Sequence, residues 1–247
     1  MKKILVIAII LFLPAVIWGG EGKTVEYTVN GDLYEGYVIN QTETAPLVLL
    51  IHDWDGLTDY EIKRAHMLAD LGYSVFAMDL FGAGVRPTEI NEKRRLTGEL
   101  YKDREKMRSL MKGALEKAGN LGADTGNAVV AGYCFGGAAV LEWARYGEAL
   151  KGFVSFHGGL KTPDGQDYSN TKGRVLVMHG TADKVVSMDE FAALAKQLES
   201  DGVKHEMITY SGALHAFTVF GSQRYQEEAD KASWKRFTDF LQMQLKQ

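Results

Sequence analysis

The 247-residue chain carries 28 Lys and Arg against 32 Asp and Glu, a formal net charge of −4, and is 46% hydrophobic and 24% charged. That is the composition of one ordinary globular domain, and an acidic balance without a basic stripe excludes a nucleic-acid partner in favour of small molecules. Its one cysteine, Cys134, excludes a disulfide within the chain.

Lys2 and Lys3 precede an apolar run from Ile4 to Ile17, and Gly19 and Gly20 lead into the polar stretch from Glu21. The run is short against the ~20 residues of a bilayer-spanning helix, so residues 1–20 read as a secretory signal peptide. The expected product is exported, periplasmic or secreted, with no stable membrane insertion after cleavage. In an oxidising compartment a lone thiol is either buried and inert or kept for its reactivity.

The remainder, from residue 24 to 247, reads as one domain. "KTVEYTVNGDLYEGYVINQ" gives two alternating runs about Asn30-Gly31, the signal of a type I′ hairpin. "APLVLLIHDWDG" is a continuous apolar run, as in a strand covered on both faces. A helix follows, with apolar spacing at Ile62, Ala65, Ala69 and Leu71 and a stop at Gly72, and then the strand "YSVFAMDL". The pattern continues with a long helical region from about Thr88 to Lys117, strand "AVVAGY", a helix over 136–146, and strands "GFVSF" and "RVLVMHG". Ser187 and Glu190 form a capping box for a helix to about Ser200, before strand "HEMITY" and a last helix from about Tyr225. Strands alternating with helices predict a doubly wound, mostly parallel α/β sheet with helices on both faces, and a ligand crevice at the carboxyl ends of the strands.

Asp53, Cys134, Asp183 and His215 all follow predicted strands and so fall at that edge. Gly132-Tyr133-Cys134-Phe135-Gly136 fits the glycine-flanked elbow that places a nucleophile on a sharp strand-to-helix turn, where a helix N-terminus favours a thiolate. A cysteine nucleophile needs a base and the base an orienting group, in the chain order nucleophile, acid, histidine. Asp183 in "HGTADKVV" and His215 in "SGALHAF" satisfy it. His66 lies on a helix, His205 begins a strand, and His52, His157 and His179 sit at strand ends wrong for the order.

"IHDWDG", "GYCFGG", "HGTAD" and "ALHAF" together resemble the dienelactone hydrolase family of α/β-hydrolases, from about residue 24 onward. The resemblance implies an α/β-hydrolase fold and a carboxylic ester hydrolase of the carboxymethylenebutenolidase-like type, cleaving a small ester or lactone through a Cys134-His215-Asp183 triad and an acyl-enzyme. It also implies an oxyanion hole from the backbone N–H groups of Trp54 and Phe135. The family commonly has a glutamate where Asp53 stands, contacting the resting thiol and modulating its ionisation. The family's carboxylate-binding arginines have no evident counterpart, and Thr218-Val219-Phe220 follows "HAF". With Trp54, Phe81, Phe135 and Phe217 beside the site in sequence, apolar walls and uncharged substrates are expected. The chain has no H-E-x-x-H, C-x-x-C or P-loop, so neither a metal nor another cofactor is expected. The rival readings are a non-catalytic binding protein on the same scaffold and a redox-sensing thiol, the latter without a resolving cysteine.

Overall fold

The computed structural model describes residues 20–42 and 44–245, so the signal-peptide reading lies outside the described residues except for Gly20. β1 (Lys23–Val29) and β2 (Asp32–Ile39) make the expected hairpin. Asn30 (φ 53°) and Gly31 (φ 92°) take the left-handed conformations that a type I′ turn demands.

β3 (Pro46–Ile51), β4 (Ser74–Met78), β5 (Asp124–Tyr133), β6 (Gly152–Phe156), β7 (Arg174–Gly180) and β8 (His205–Tyr210) complete an eight-stranded sheet in the order β1-β2-β4-β3-β5-β6-β7-β8. From β4 through β8 every pairing is parallel, and the hairpin joins antiparallel at the β4 edge. Side chains of the buried strands alternate between two layers. Leu47, Leu49 and Ile51 pack with α3 (Arg104–Asn120), α4 (Phe135–Tyr146) and α5 (Met188–Ser200), whereas Val48 and Leu50 pack with α1 (Asp59–Ala69) and α6 (Glu227–Gln244). Covering both faces is what the continuous apolar runs require. The winding reverses between β3 and β5, which opens the crevice at their carboxyl ends.

Two expectations are corrected. The helical region over 88–117 is two helices, α2 (Ile90–Lys102) and α3. They break at Asp103 (φ −108°, ψ 79°), whose carboxylate accepts the Lys106 N–H at 2.9 Å and caps α3 instead of continuing α2. On α1 the buried face is not purely apolar. The helix ends at Ala69, leaving Leu71 48% exposed, while Glu61 and Arg64 are fully buried. Among the described residues no helix is long and apolar enough to cross a membrane.

Candidate active site

β5 ends at Tyr133 and the chain turns into α4 through Cys134, whose φ of 51° and ψ of −109° are costly for a residue with a side chain. Such a conformation persists only when its surroundings over-determine it. The Cys134 N–H donates to the Phe156 carbonyl at 3.0 Å and its carbonyl accepts from Ala138 at 3.2 Å. The flanking glycines let the helix seat against the strands: a Cβ at Gly132 would lie 2.3 Å from the Gly136 carbonyl, and one at Gly136 would lie 2.4 Å from the Ile51 carbonyl oxygen. The elbow reading therefore has a steric basis in this fold.

The β7–α5 and β8–α6 loops bring the other two residues to the thiol. They are stitched together by the Ala182 N–H to the Ala213 carbonyl (3.0 Å) and by the Gly212 N–H to Thr181 Oγ1 (2.8 Å). His215 Nε2 stands 3.0 Å from Cys134 Sγ, and Nδ1 stands 2.8 Å from Asp183 Oδ2. The other carboxylate oxygen of Asp183 accepts the N–H groups of Val185 (2.7 Å) and Val186 (3.0 Å). Burial alone would raise Asp183, but the bonds to His215 and to these two amides outweigh it and hold the carboxyl below its ordinary range. An ionised carboxylate only accepts, so Nδ1–H is the donor and Nε2 presents its lone pair to Sγ.

The thiol is pushed up to about 12, first by burial and then by the negative charge of Asp53, and the Phe135 N–H pointed at it recovers only part of the shift. The helix N-terminus thus does not produce the resting thiolate expected from the elbow. Asp53 is itself buried and raised to about 6 by desolvation and by Asp55. Its Oδ1 accepts the Asp55 N–H at 2.8 Å.

The 52–58 segment carrying Asp53 and Trp54 is braced by two residues with no recognised role in the sequence reading. His52 Nε2 accepts the Leu80 N–H at 3.0 Å, which leaves Nδ1–H to donate to the Asp53 carbonyl at 2.6 Å. Burial holds this ring down at about 4, hence neutral. Glu61 accepts from the Asp53 N–H (3.4 Å), the Thr58 N–H (2.9 Å) and the Thr58 hydroxyl (2.9 Å), and burial followed by the Asp53 charge raises it to about 8. The signal for Glu61 was present: it stands three residues after Thr58, closing a capping box on the helix's apolar face.

The expectation of aromatic walls is only partly met. Phe217 is fully buried, packed on His157 and Tyr210, and Phe135 is buried among His52, Phe81 and Tyr101. Trp54 and Phe81 remain half-buried. A cavity of about 460 Å³ is lined by Tyr101, Arg104, Ala138, Lys161, Val185 and Val186 among others, the last two being the residues whose N–H groups bind Asp183. Arg104 keeps one nitrogen on Glu142 at 2.9 Å, so this wall carries cations that sequence proximity did not reveal. Arg86 is held by Glu35, Asp79 and the Leu57 carbonyl, and Arg95 by Glu92 and Glu99. Among the described residues, no group of three or more His, Cys, Asp or Glu side chains is placed to hold a metal ion.

With the fold and this geometry in view, the comparisons with known proteins converge. The model of the dienelactone hydrolase family matches residues 34–245. Protein usf of Aquifex pyrophilus is 27% identical over 202 residues, spanning 79% of this chain and 87% of that protein. A protein of Aquifex aeolicus (strain VF5) with the provisional name carboxymethylenebutenolidase is 25% identical over 232 residues, spanning 91% of this chain and all (100%) of its own. Among solved structures, a dienelactone hydrolase-like promiscuous phosphotriesterase from metagenomic libraries superposes with a TM-score of 0.84 at 27% identity, covering 92% of this chain and 99% of that one. The sheet is that of an α/β-hydrolase, and the chain belongs to the dienelactone hydrolase family as a hydrolase of that type.

Proposed function

We propose that this hydrolase cleaves small esters or lactones with Cys134 as nucleophile, His215 as general base and acid, and Asp183 as the group that fixes the histidine tautomer. The observation that carries the reading is the single line of hydrogen bonds from Asp183 through His215 to Sγ, at 2.8 and 3.0 Å. As Sγ attacks the carbonyl carbon, its proton passes to His215 Nε2, and the carbonyl π pair moves onto oxygen. The Phe135 N–H, already directed at the sulfur, and the Trp54 N–H are assigned to that oxyanion. Collapse expels the alcohol oxygen, which takes the proton from Nε2 and leaves a thioester. Water then attacks with His215 again accepting a proton, and the departing thiolate is reprotonated from Nε2.

The names of the relatives support a lactone or ester carbonyl as the target. Lys2, Lys3 and the run from Ile4 to Ile17 support export, to be checked by the N-terminal sequence of protein recovered from outside the cytoplasm. The decisive assay is turnover of a panel of aryl and alkyl esters and lactones by the wild type and by Cys134→Ala. Loss of all turnover in a folded Cys134→Ala is the expected result, and retained turnover overturns the nucleophile assignment. His215→Ala should lose about 10² to 10⁴ in kcat, the usual contribution of general acid–base catalysis.

A further inference from the structure

His215 must stay within about 0.5 Å of its working geometry although it sits in a loop, and packing and outer hydrogen bonds are what hold such a group. The next residue, Ala216, has a φ of 63°, in the left-handed region unfavourable to alanine, so the loop needs restraint from outside itself. That restraint comes from Thr218, three residues after His215 and fully buried.

Beneath Thr218 lies Arg64 of α1, with no exposed surface. A guanidinium out of water is expensive unless its donors are used. Here one terminal nitrogen donates to the Thr218 carbonyl at 2.9 Å and also to Asp230 of α6, while Nε donates to the Tyr60 hydroxyl at 3.3 Å. Phe220 and Trp234 flank the guanidinium, their ring centroids 4.2 and 5.0 Å from Cζ. The Tyr60 hydroxyl is 2.6 Å from Thr218 Oγ1, which is 2.8 Å from His157 Nε2. Arginine can only donate, so the Tyr60 oxygen accepts from Arg64, and the line of hydrogen bonds continues through Thr218 Oγ1 to His157 Nε2. His157, kept neutral by burial, lies edge-on to His215 with ring centroids 5.5 Å apart.

We infer that Arg64, Tyr60 and Thr218 are positioning residues for His215: the buried guanidinium grips the histidine loop by its Thr218 carbonyl, and the hydroxyl relay locks the His157 ring against which His215 rests. The inference rests on the proposed role of His215, but the restraint itself can be read without ester turnover. A core ion pair that merely stabilised the fold would need neither the Thr218 hydroxyl nor a target three residues from His215.

Because Arg64→Met would strand Asp230 and could unfold the protein, the test uses Thr218→Val, which removes the relay but leaves the Arg64–Asp230 pair, and Thr218→Ser, which keeps the hydroxyl. Two quantities are measured with the thermal midpoint: kcat and KM on a neutral aryl ester, and the rate of Cys134 alkylation by iodoacetamide, with His215→Ala as reference. Thr218→Val is expected to lower kcat about tenfold or more with KM within twofold, and to move alkylation toward the His215→Ala rate. Thr218→Ser should restore both to within threefold of wild type. Equal behaviour of the Val and Ser variants, or an effect confined to KM or to the midpoint, overturns the positioning role. If no ester is turned over by the wild type, the proposed function fails, and the alkylation series still decides the restraint.

Discussion

Asp183→Asn tests the tautomer argument with almost no change in volume. In the wild type one carboxylate oxygen takes the Val185 and Val186 N–H groups and the other takes His215 Nδ1–H. An asparagine that keeps its oxygen on the two amides must turn its NH₂ toward Nδ1. Nδ1 then has to accept, the ring proton moves to Nε2, and Nε2 faces the thiol with a hydrogen where it needs a lone pair. The opposite rotamer would restore the working tautomer only by aiming an NH₂ at two N–H donors, of which Val186 is buried and Val185 partly exposed. Leaving the buried group unsatisfied costs about 1–3 kcal/mol and losing the other bond about 0.5–1.5 kcal/mol, so about 1.5–4.5 kcal/mol in all. At about 1.36 kcal/mol per decade this makes the active rotamer roughly 10-fold to 2,000-fold rarer, so kcat should fall by that range. The upper end approaches the ~10⁴-fold loss expected when a triad carboxylate becomes an amide. The assay is kcat and KM on a neutral aryl ester, with a thermal melt to confirm the fold. A loss below tenfold, or one seen only in KM, refutes the reasoning.

Two further outcomes follow from the charges around the thiol. Asp53→Asn removes the nearest negative charge opposing ionisation of Cys134, so iodoacetamide should alkylate the resting enzyme faster at pH 7–8; an unchanged rate would remove Asp53 from control of the thiol. Glu61 is raised from 4.5 to about 8 in the folded chain, so the stability it contributes is fully present below about 4.5 and lost as pH rises through about 8. Glu61→Gln should therefore flatten the fall in thermal midpoint between pH 5 and 9, and parallel curves for the two proteins would contradict that sign.

What was legible in the sequence was local. The Asn30-Gly31 turn, the Ser187 helix start and the elbow glycines each act over a few residues, and the chain order of Cys134, Asp183 and His215 placed three side chains at one sheet edge without any distance being known. What was not legible depends on elements meeting across the fold. Arg64 and Asp230 come from the first and last helices, and Arg104 at the start of α3 and Lys161 in the β6–β7 loop reach one cavity. Phe217 is two residues from His215 in sequence but is buried against His157 and Tyr210. Charges at 61 and 64 on a helix face otherwise marked by Ala65, Leu68 and Ala69 are the exception, since a charge on an apolar stripe signals a buried partner before that partner is known.

The resting electrostatics bear on why a cysteine can serve in such a place. A preformed thiolate would need nearby positive charge, whereas Cys134 is faced by burial and by Asp53, Asp183 and Asp55, all opposing ionisation. These groups favour the thiol form of Cys134, the form less reactive toward oxidants and alkylating agents, which act on the thiolate. In the proposed reaction, reactivity then arises with substrate in place, when the proton leaves Sγ for Nε2 as the new bond forms and the growing negative charge moves to an oxygen facing amide donors. That coupling needs the Nε2 lone pair on the Sγ–H line at the moment of attack, which makes the His215 tautomer and loop position more consequential than the thiol's resting ionisation. Substitutions at Asp183 or Thr218 should accordingly suppress turnover more than Asp53→Asn alters it, and the reverse ranking would mean that a preformed thiolate carries the reaction.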